Sequence, residues 1–186
     1  MNVIASYIVE LYREKGEEYY GEGMTVNSHS IQCFLLAIED QLDSELVLAA
    51  FLHDIGHLLS GTPNYESSVP DTYGLTNHDE LGAEFLHDMG LCSRICEVVG
   101  NHVASKRYLC GINQDYMKGL SKASQETLVL QGGVMKMPEV QEFEQKQFFN
   151  DSITIRLIDD RAKDNNFTYD PDIWEIIKRS INNQLL

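Results

Sequence analysis

A chain of 186 residues with 14 Lys+Arg against 29 Asp+Glu carries a net charge of −15, which sets it against the nucleic-acid backbone and against anionic lipid, so the expected partner is a small molecule. The length suits one core with a terminal extension, and four prolines give no sign of a long linker. Ahead of the first apolar stretch there is no basic leader, and Glu10, Arg13 and Glu14 interrupt it well short of a membrane span, so a soluble, cytoplasmic protein is expected.

Residues 2–15 place Val3, Ile4, Tyr7, Ile8 and Leu11 at helical spacing, with Gly16 as the stop. The segment 17–27 holds two glycines and lacks strand alternation, so it reads as a loop. Residues 28–41 repeat Ile31, Phe34, Leu35 and Ile38, a core-facing helix with His29 in its first turn and off the apolar stripe. Asp43 or Ser44 can cap the next helix, which runs through Leu46, Val47, Ala50 and Phe51 into His53, Asp54 and His57. A continuous helix there sets His53 and His57 on one face. From Leu58 to Thr76 the chain is rich in Gly, Pro, Ser, Asn and Asp and reads as a long loop beside the triplet, of the kind that forms lids and binding loops.

Asn77 can cap a helix that begins with His78, turns Leu81, Phe85, Leu86 and Met89 inward and closes at Gly90. One helix is expected from about Leu91 to Tyr108, burying Ile95, Val98 and Val99, with His102 near its end and Lys106 a turn later. A short polar stretch to Leu120 precedes a helix in which Ser124 and Thr127, three apart, are neighbours on one side. A polar helix follows Pro138. Residues 151–164 could be read as a strand, but helix is preferred because Asn150 or Asp151 can cap it, and Arg156 and Asp159 then project together. A last helix spans about Pro171–Gln184. The fold class is all-α, a bundle of about nine or ten helices.

Cys33, Cys92, Cys96 and Cys110 are spread through apolar helical patterns, and the Cys92/Cys96 pair has no second pair to complete a zinc cluster, so buried free thiols are expected. The histidines are more informative. Of six, His29, His53, His57, His78 and His102 fall at helix ends or in helices bordering polar loops, and His87 looks like a surface residue. A capped helix end accounts for the 53–57 triplet alone, with His57 favouring the C-terminal dipole. It does not account for five histidines on several helices, which is how ligands converge on a metal pair in a bundle core.

These residues carry a resemblance. His29, then His53-Asp54, then a late Asp159 follow the four-ligand spacing of the HD-domain superfamily, and His78 and His102 match the added histidines of its dinuclear members. From about Tyr19 to Lys163 the chain resembles the mixed-valent diiron oxygenases of that superfamily, in particular those that cleave phosphonates, with myo-inositol oxygenase a more distant relative. The resemblance implies a single HD domain over 1–186 with a C-terminal helical extension. It implies two irons in an Fe(II)/Fe(III) pair and O2 as co-substrate, one iron held by His29, His53, Asp54 and Asp159, the other by His78, His102 and the shared Asp54. Asp159 followed by Lys163 fits the end of the motif; Asp160 is the adjacent acidic choice.

By the same resemblance Lys106, Ser124, Thr127 and Arg156 hold the phosphonate, Tyr19 occupies an iron position until substrate displaces it, Glu22 engages a substrate amine, and His57 is a hydrogen-bonding neighbour of the ligands. Four neutral imidazoles, two carboxylates, the iron pair and a bridging oxide leave a net charge of about +1, which invites an anion. The expected activity is oxidative C–P cleavage of a small 2-amino-1-hydroxyalkylphosphonate with release of phosphate. The alternative from a different class is a metal-dependent phosphohydrolase acting on a small phosphomonoester or nucleotide, since two metals also generate hydroxide for ester cleavage. The Tyr19-x-x-Glu22 pair ahead of His29 is the feature that favours the oxygenase.

Overall fold

Residues 3–19, 23–62 and 77–185 are described by the structure, a computed structural model. They form α1 (Val3–Lys15), α2 (Val26–Glu39), α3 (Ser44–Leu52), a 3₁₀ helix (Ile55–Leu59), α4 (His78–Asp88), α5 (Ser93–Gly100), α6 (His102–Ile112), α7 (Gln114–Gly119), α8 (Lys122–Leu130), α9 (Met137–Phe143), α10 (Phe149–Arg161) and α11 (Ile173–Gln184). Among the described residues no strand forms; two isolated bridges pair Tyr19 with Thr25 and Leu91 with Leu185. The all-α expectation holds, with eleven α-helices among the described residues where about nine or ten were expected.

The bundle is built around α3. Leu46 to Leu52 are all buried, and a helix apolar on every side belongs in the middle of a core. Asp43 caps its start, accepting from the Glu45 and Leu46 N–H groups at 3.1 Å. At its end the Phe51 carbonyl would lack a partner, and the Tyr12 hydroxyl donates to it at 3.0 Å. The Phe51 ring packs against Tyr12, Phe34 and Trp174, with centroids 4.4, 6.1 and 6.3 Å away. Each such fully buried side chain contributes about 1.5–3 kcal/mol. The anchor thus draws α1, α2 and α11 onto α3, while Ile155 and Ile158 bring α10 into the same apolar cluster.

Four features differ from the sequence reading. Helix α2 begins at Val26, capped by the Thr25 side chain on Ser28 N–H at 3.1 Å, so His29 lies inside the helix and is buried. The stretch expected as one helix from 91 to 108 is two, broken at Asn101 (φ −101, ψ −3). Lys146 donates to the Asn101 side-chain oxygen at 2.7 Å, its amide donates to Ser152 at 3.3 Å, and the Ser105 hydroxyl donates to its carbonyl at 2.9 Å. Those bonds fix a corner, and His102 opens the new helix instead of ending the old one. Helix α7 occupies part of the polar stretch before Leu120, and α10 starts at Phe149 without the side-chain cap expected from Asn150 or Asp151. No helix among the described residues is long and apolar enough to cross a membrane.

Candidate metal centre

The end of α3 places the first ligands. His53 is its C-terminal cap, and Asp54 turns the chain (φ −101, ψ 8) into the 3₁₀ helix. His53 and His57 therefore do not share the face of one continuous helix. The His57 ring instead stacks on His78, with centroids 3.9 Å apart and planes 21° apart. Gly56 permits this turn to rest on the start of α4, since a side chain there would collide with the His78 carbonyl.

Helix ends and helix faces then converge. His29 from α2, His53 from the end of α3, His78 from the start of α4, His102 from the start of α6, and Asp159 from α10 surround Asp54, all of them buried. Asp54 Oδ2 lies 3.7 Å from His29 Nε2 and 3.4 Å from His53 Nε2. Its other oxygen, Oδ1, lies 3.5 Å from His78 Nε2 and 3.6 Å from His102 Nε2. One carboxylate thus offers a different oxygen to each of two imidazole pairs. Asp159 Oδ1 joins the first pair, 3.2 Å from His29 Nε2. The neighbouring Asp160 is turned away, taking the Tyr116 hydroxyl and the Arg156 guanidinium.

Backbone carbonyls set the tautomers. His29 Nδ1 meets the Ala162 carbonyl at 2.9 Å, His53 Nδ1 the Ala50 carbonyl at 2.8 Å, and His102 Nδ1 the Val99 carbonyl at 3.0 Å. A carbonyl only accepts, so Nδ1 carries the proton and Nε2 turns its lone pair toward the centre. The facing nitrogens come close, 3.2 Å between His29 and His53 and 2.8 Å between His78 and His102. Between His29 and His53, whose Nδ1 atoms both donate to carbonyls, two lone pairs at that separation repel unless a positive charge lies with them. The donor set of unprotonated imidazoles around buried carboxylates fits a pair of metal ions, and the Nδ1 bonds are those that orient metal-bound histidines.

The charges agree. Burial pushes the Asp54 carboxyl up, yet His53 first, then His57 and His78, hold it well below the usual carboxylate range. Burial likewise raises Asp159, and Arg156 followed by His29 outweighs it downward. Burial lowers His53, but Asp54 draws it up to about 9, so the cluster favours a cation at that nitrogen. An uncompensated buried carboxylate costs several kcal/mol; Asp159 has Arg156 as a counterion, whereas Asp54 faces imidazoles alone among the contacts above.

The anion-binding candidates are nearby. Lys106 is only 4 % exposed and donates to Thr127 Oγ1 at 2.9 Å. Burial, then the charge of Arg156, lowers its pKa to about 8, while Asp159 and Asp54 act on it in the opposite sense. Arg156, 3 % exposed, pairs with Asp159 at 2.6 Å and with Asp160. Ser124 is buried and accepts from Lys163 at 3.4 Å. One expected member stands apart. Tyr19 is 73 % exposed, held at the surface by its backbone bridge with Thr25, and is not among the groups gathered around Asp54. Glu22 lies outside the described residues.

The sequence reading missed two participants. Cys33, treated as a packing thiol, sits one helical turn beyond His29 with Sγ 3.8 Å from its Nε2, a neighbour that the i, i+4 spacing could have flagged. The same spacing pairs Arg156 with Asp160. Tyr116 had no such sign, because its short helix looked like a polar connection. His87 is the exposed histidine expected, 3.6 Å from Asp88.

Residues 26–132 match the HD domain family. That span holds His29, His53, Asp54, His78 and His102, with Asp159 C-terminal to it. Among known proteins, the chain is 37% identical over 157 residues, 84% of this chain and 71% of the relative, to the uncharacterized protein L432 of Acanthamoeba polyphaga mimivirus. It is 36% identical, over 84% of this chain and 76% of the relative, to the hydroxymethylphosphonate dioxygenase of Gimesia maris. It is also 36% identical, over 92% of this chain and 85% of the relative, to the glycine-betaine-forming [1-hydroxy-2-(trimethylamino)ethyl]phosphonate dioxygenase of Leisingera caerulea. The chain belongs to the HD-domain family and, within it, to the branch of the phosphonate oxygenases.

Proposed function

We propose that this protein is an iron- and O2-dependent oxygenase that cleaves the C–P bond of a small 2-amino-1-hydroxyalkylphosphonate and releases phosphate. The observation that carries the reading is the double-faced Asp54, whose Oδ2 addresses His29 and His53 while Oδ1 addresses His78 and His102. His29, His53, Asp54 and Asp159 would hold one iron, and His78, His102 and Asp54 the other. Bound there, a mixed-valent iron pair supplies O2 binding and the electron transfer that oxidises the hydroxyl-bearing carbon.

The residues around the cluster supply recognition. Both named relatives act on a phosphonate with a hydroxyl on the neighbouring carbon, and one of those substrates also carries a trimethylamino group. The ammonium of Lys106, the guanidinium of Arg156 and the hydroxyls of Thr127 and Ser124 receive the phosphonate oxygens. Glu22 receives the amine, and Tyr19 comes and goes with substrate from its loop. His57, stacked on His78, holds that imidazole's plane. Burial of the cluster excludes water, which strengthens each of these contacts.

With 2-amino-1-hydroxyethylphosphonate the atoms balance on one O2, giving glycine and phosphate. The test is iron-loaded protein offered that compound, its trimethylamino analogue and hydroxymethylphosphonate, under air and under nitrogen, beside a panel of phosphomonoesters and nucleotides. Oxygen uptake with equimolar phosphate and glycine, absent under nitrogen and fastest with the free amine, is expected. Phosphate release from the esters at the same rate without oxygen would make the protein a hydrolase.

A further inference from the structure

We propose that Tyr116 is a positioning residue for the anionic group of the substrate, acting through Arg156; this rests on the function proposed above. The Tyr116 hydroxyl donates to Asp160 Oδ2 at 2.5 Å and accepts from Arg156 Nε at 3.0 Å. Arg156 Nε also approaches Asp160 Oδ2 at 3.3 Å, its Nη2 pairs with Asp160 Oδ1, and its Nη1 reaches Asp159 Oδ2 at 2.6 Å. Tyr116, Asp160 and Asp159 thus contact all three nitrogens of one buried guanidinium.

The hydrogen count gives the arrangement its use. A guanidinium has about five N–H donors, one on Nε and two on each terminal nitrogen. These contacts engage Nε and one donor on each terminal nitrogen, leaving one on Nη1 and one on Nη2. Such a pair matches two oxygens of a phosphonate, and bidentate geometry depends on the plane of the guanidinium. Asp160 grips one edge of the guanidinium through Nε and Nη2, and Asp159 holds Nη1. The Tyr116 hydroxyl, bonded to both Arg156 Nε and Asp160 Oδ2, tethers that ion pair to α7 and steadies its plane.

The surroundings support a role of the hydroxyl rather than of the ring. No residue of α7 is fully buried, and the Tyr116 ring only borders the small cluster of Cys110, Leu120 and Leu128. The helix that carries it contributes little to the core, yet it delivers one polar atom to a buried charge network beside Asp159. Asp160 is accordingly the counterion of Arg156, a role separate from that of Asp159.

The experiment uses Tyr116→Phe, which keeps the ring, and Asp160→Asn as the second variant, each compared with the parent as iron-loaded protein. Inorganic phosphate affinity is measured anaerobically by calorimetry, alongside iron content, KM and kcat. Expected for Tyr116→Phe are phosphate affinity weakened on the order of tenfold, KM raised by the same factor, kcat within about twofold, and iron content unchanged; Asp160→Asn should move affinity in the same direction. Unchanged phosphate affinity in both variants, parent protein that binds no phosphate, or an affinity loss that comes with loss of iron would overturn the proposal. Failure of the parent to consume oxygen bears on the oxygenase reading alone, because the phosphate measurement needs no turnover.

Discussion

Asp54 and Tyr19, both expected at one centre, sit in opposite surroundings. Asp54 is enclosed by four imidazoles, three of which are fixed by backbone carbonyls from α3, α5 and the end of α10, whereas Tyr19 is on a surface segment anchored by its bridge with Thr25. Groups that must be ready before any ligand arrives are held on helix ends with their rotamers and tautomers set. A group that must enter and leave belongs on a loop. Under the proposed function, the difference separates what the fold builds in from what substrate binding would have to move.

The largest test of the built-in half is Asp54→Ala. It should abolish binding of both irons and reduce activity to background, read by elemental analysis and oxygen uptake; a variant that keeps one iron at full affinity would show that Asp54 serves only one side. A smaller effect is expected from Lys106, whose pKa of about 8 lies below the usual lysine range because burial, and then Arg156, disfavours its charge. Lys106 is protonated below that pH and neutral above it, so phosphonate recognition should weaken as pH rises. The profile of kcat/KM should bend near pH 8 and fall about tenfold per unit above it. In Lys106→Met the bend should vanish, with KM higher by about 10–100-fold at pH 7. A retained bend would assign the titration to another group.

The smallest expected effect on the fold comes from Tyr19→Phe, which should shift the melting temperature by no more than about 2 °C, as befits an exposed side chain. Its consequence should be spectroscopic. Oxidised iron-loaded parent protein should show a tyrosinate-to-iron charge-transfer band that the variant lacks while retaining two irons. The same spectrum in both proteins would leave Tyr19 as a surface residue and sharpen the contrast with Asp54.

Much of the centre was legible because helical periodicity and histidine chemistry are both local. His29, His53, His57, His78 and His102 stood out as histidines at helix ends or bordering polar loops, whereas Asp54 as the shared carboxylate and Asp159 as a late ligand followed from the resemblance to the HD-domain superfamily. What could not be read was direction. Whether the chain continues straight after His53 or through Asn101 depends on partners distant in sequence: Lys146 and Ser152 for the corner at Asn101, the His78 carbonyl for the turn at Gly56. For the same reason Tyr116 was invisible, since its partner Asp160 lies 44 residues away. Tyr19 marks a different boundary. Sequence spacing proposes that two groups belong to one reaction, and it carries no information on whether they touch at rest.

Gly56 gives the architecture an unusual susceptibility to drift. The half of the centre contributed by α4 rests on a turn with no room for a methyl group beneath the His78 carbonyl. A single base change introducing alanine there would force the turn and the start of α4 apart and so disturb the approach of His78 to Asp54. A residue with no side chain thus sets how closely two of the candidate ligands can meet.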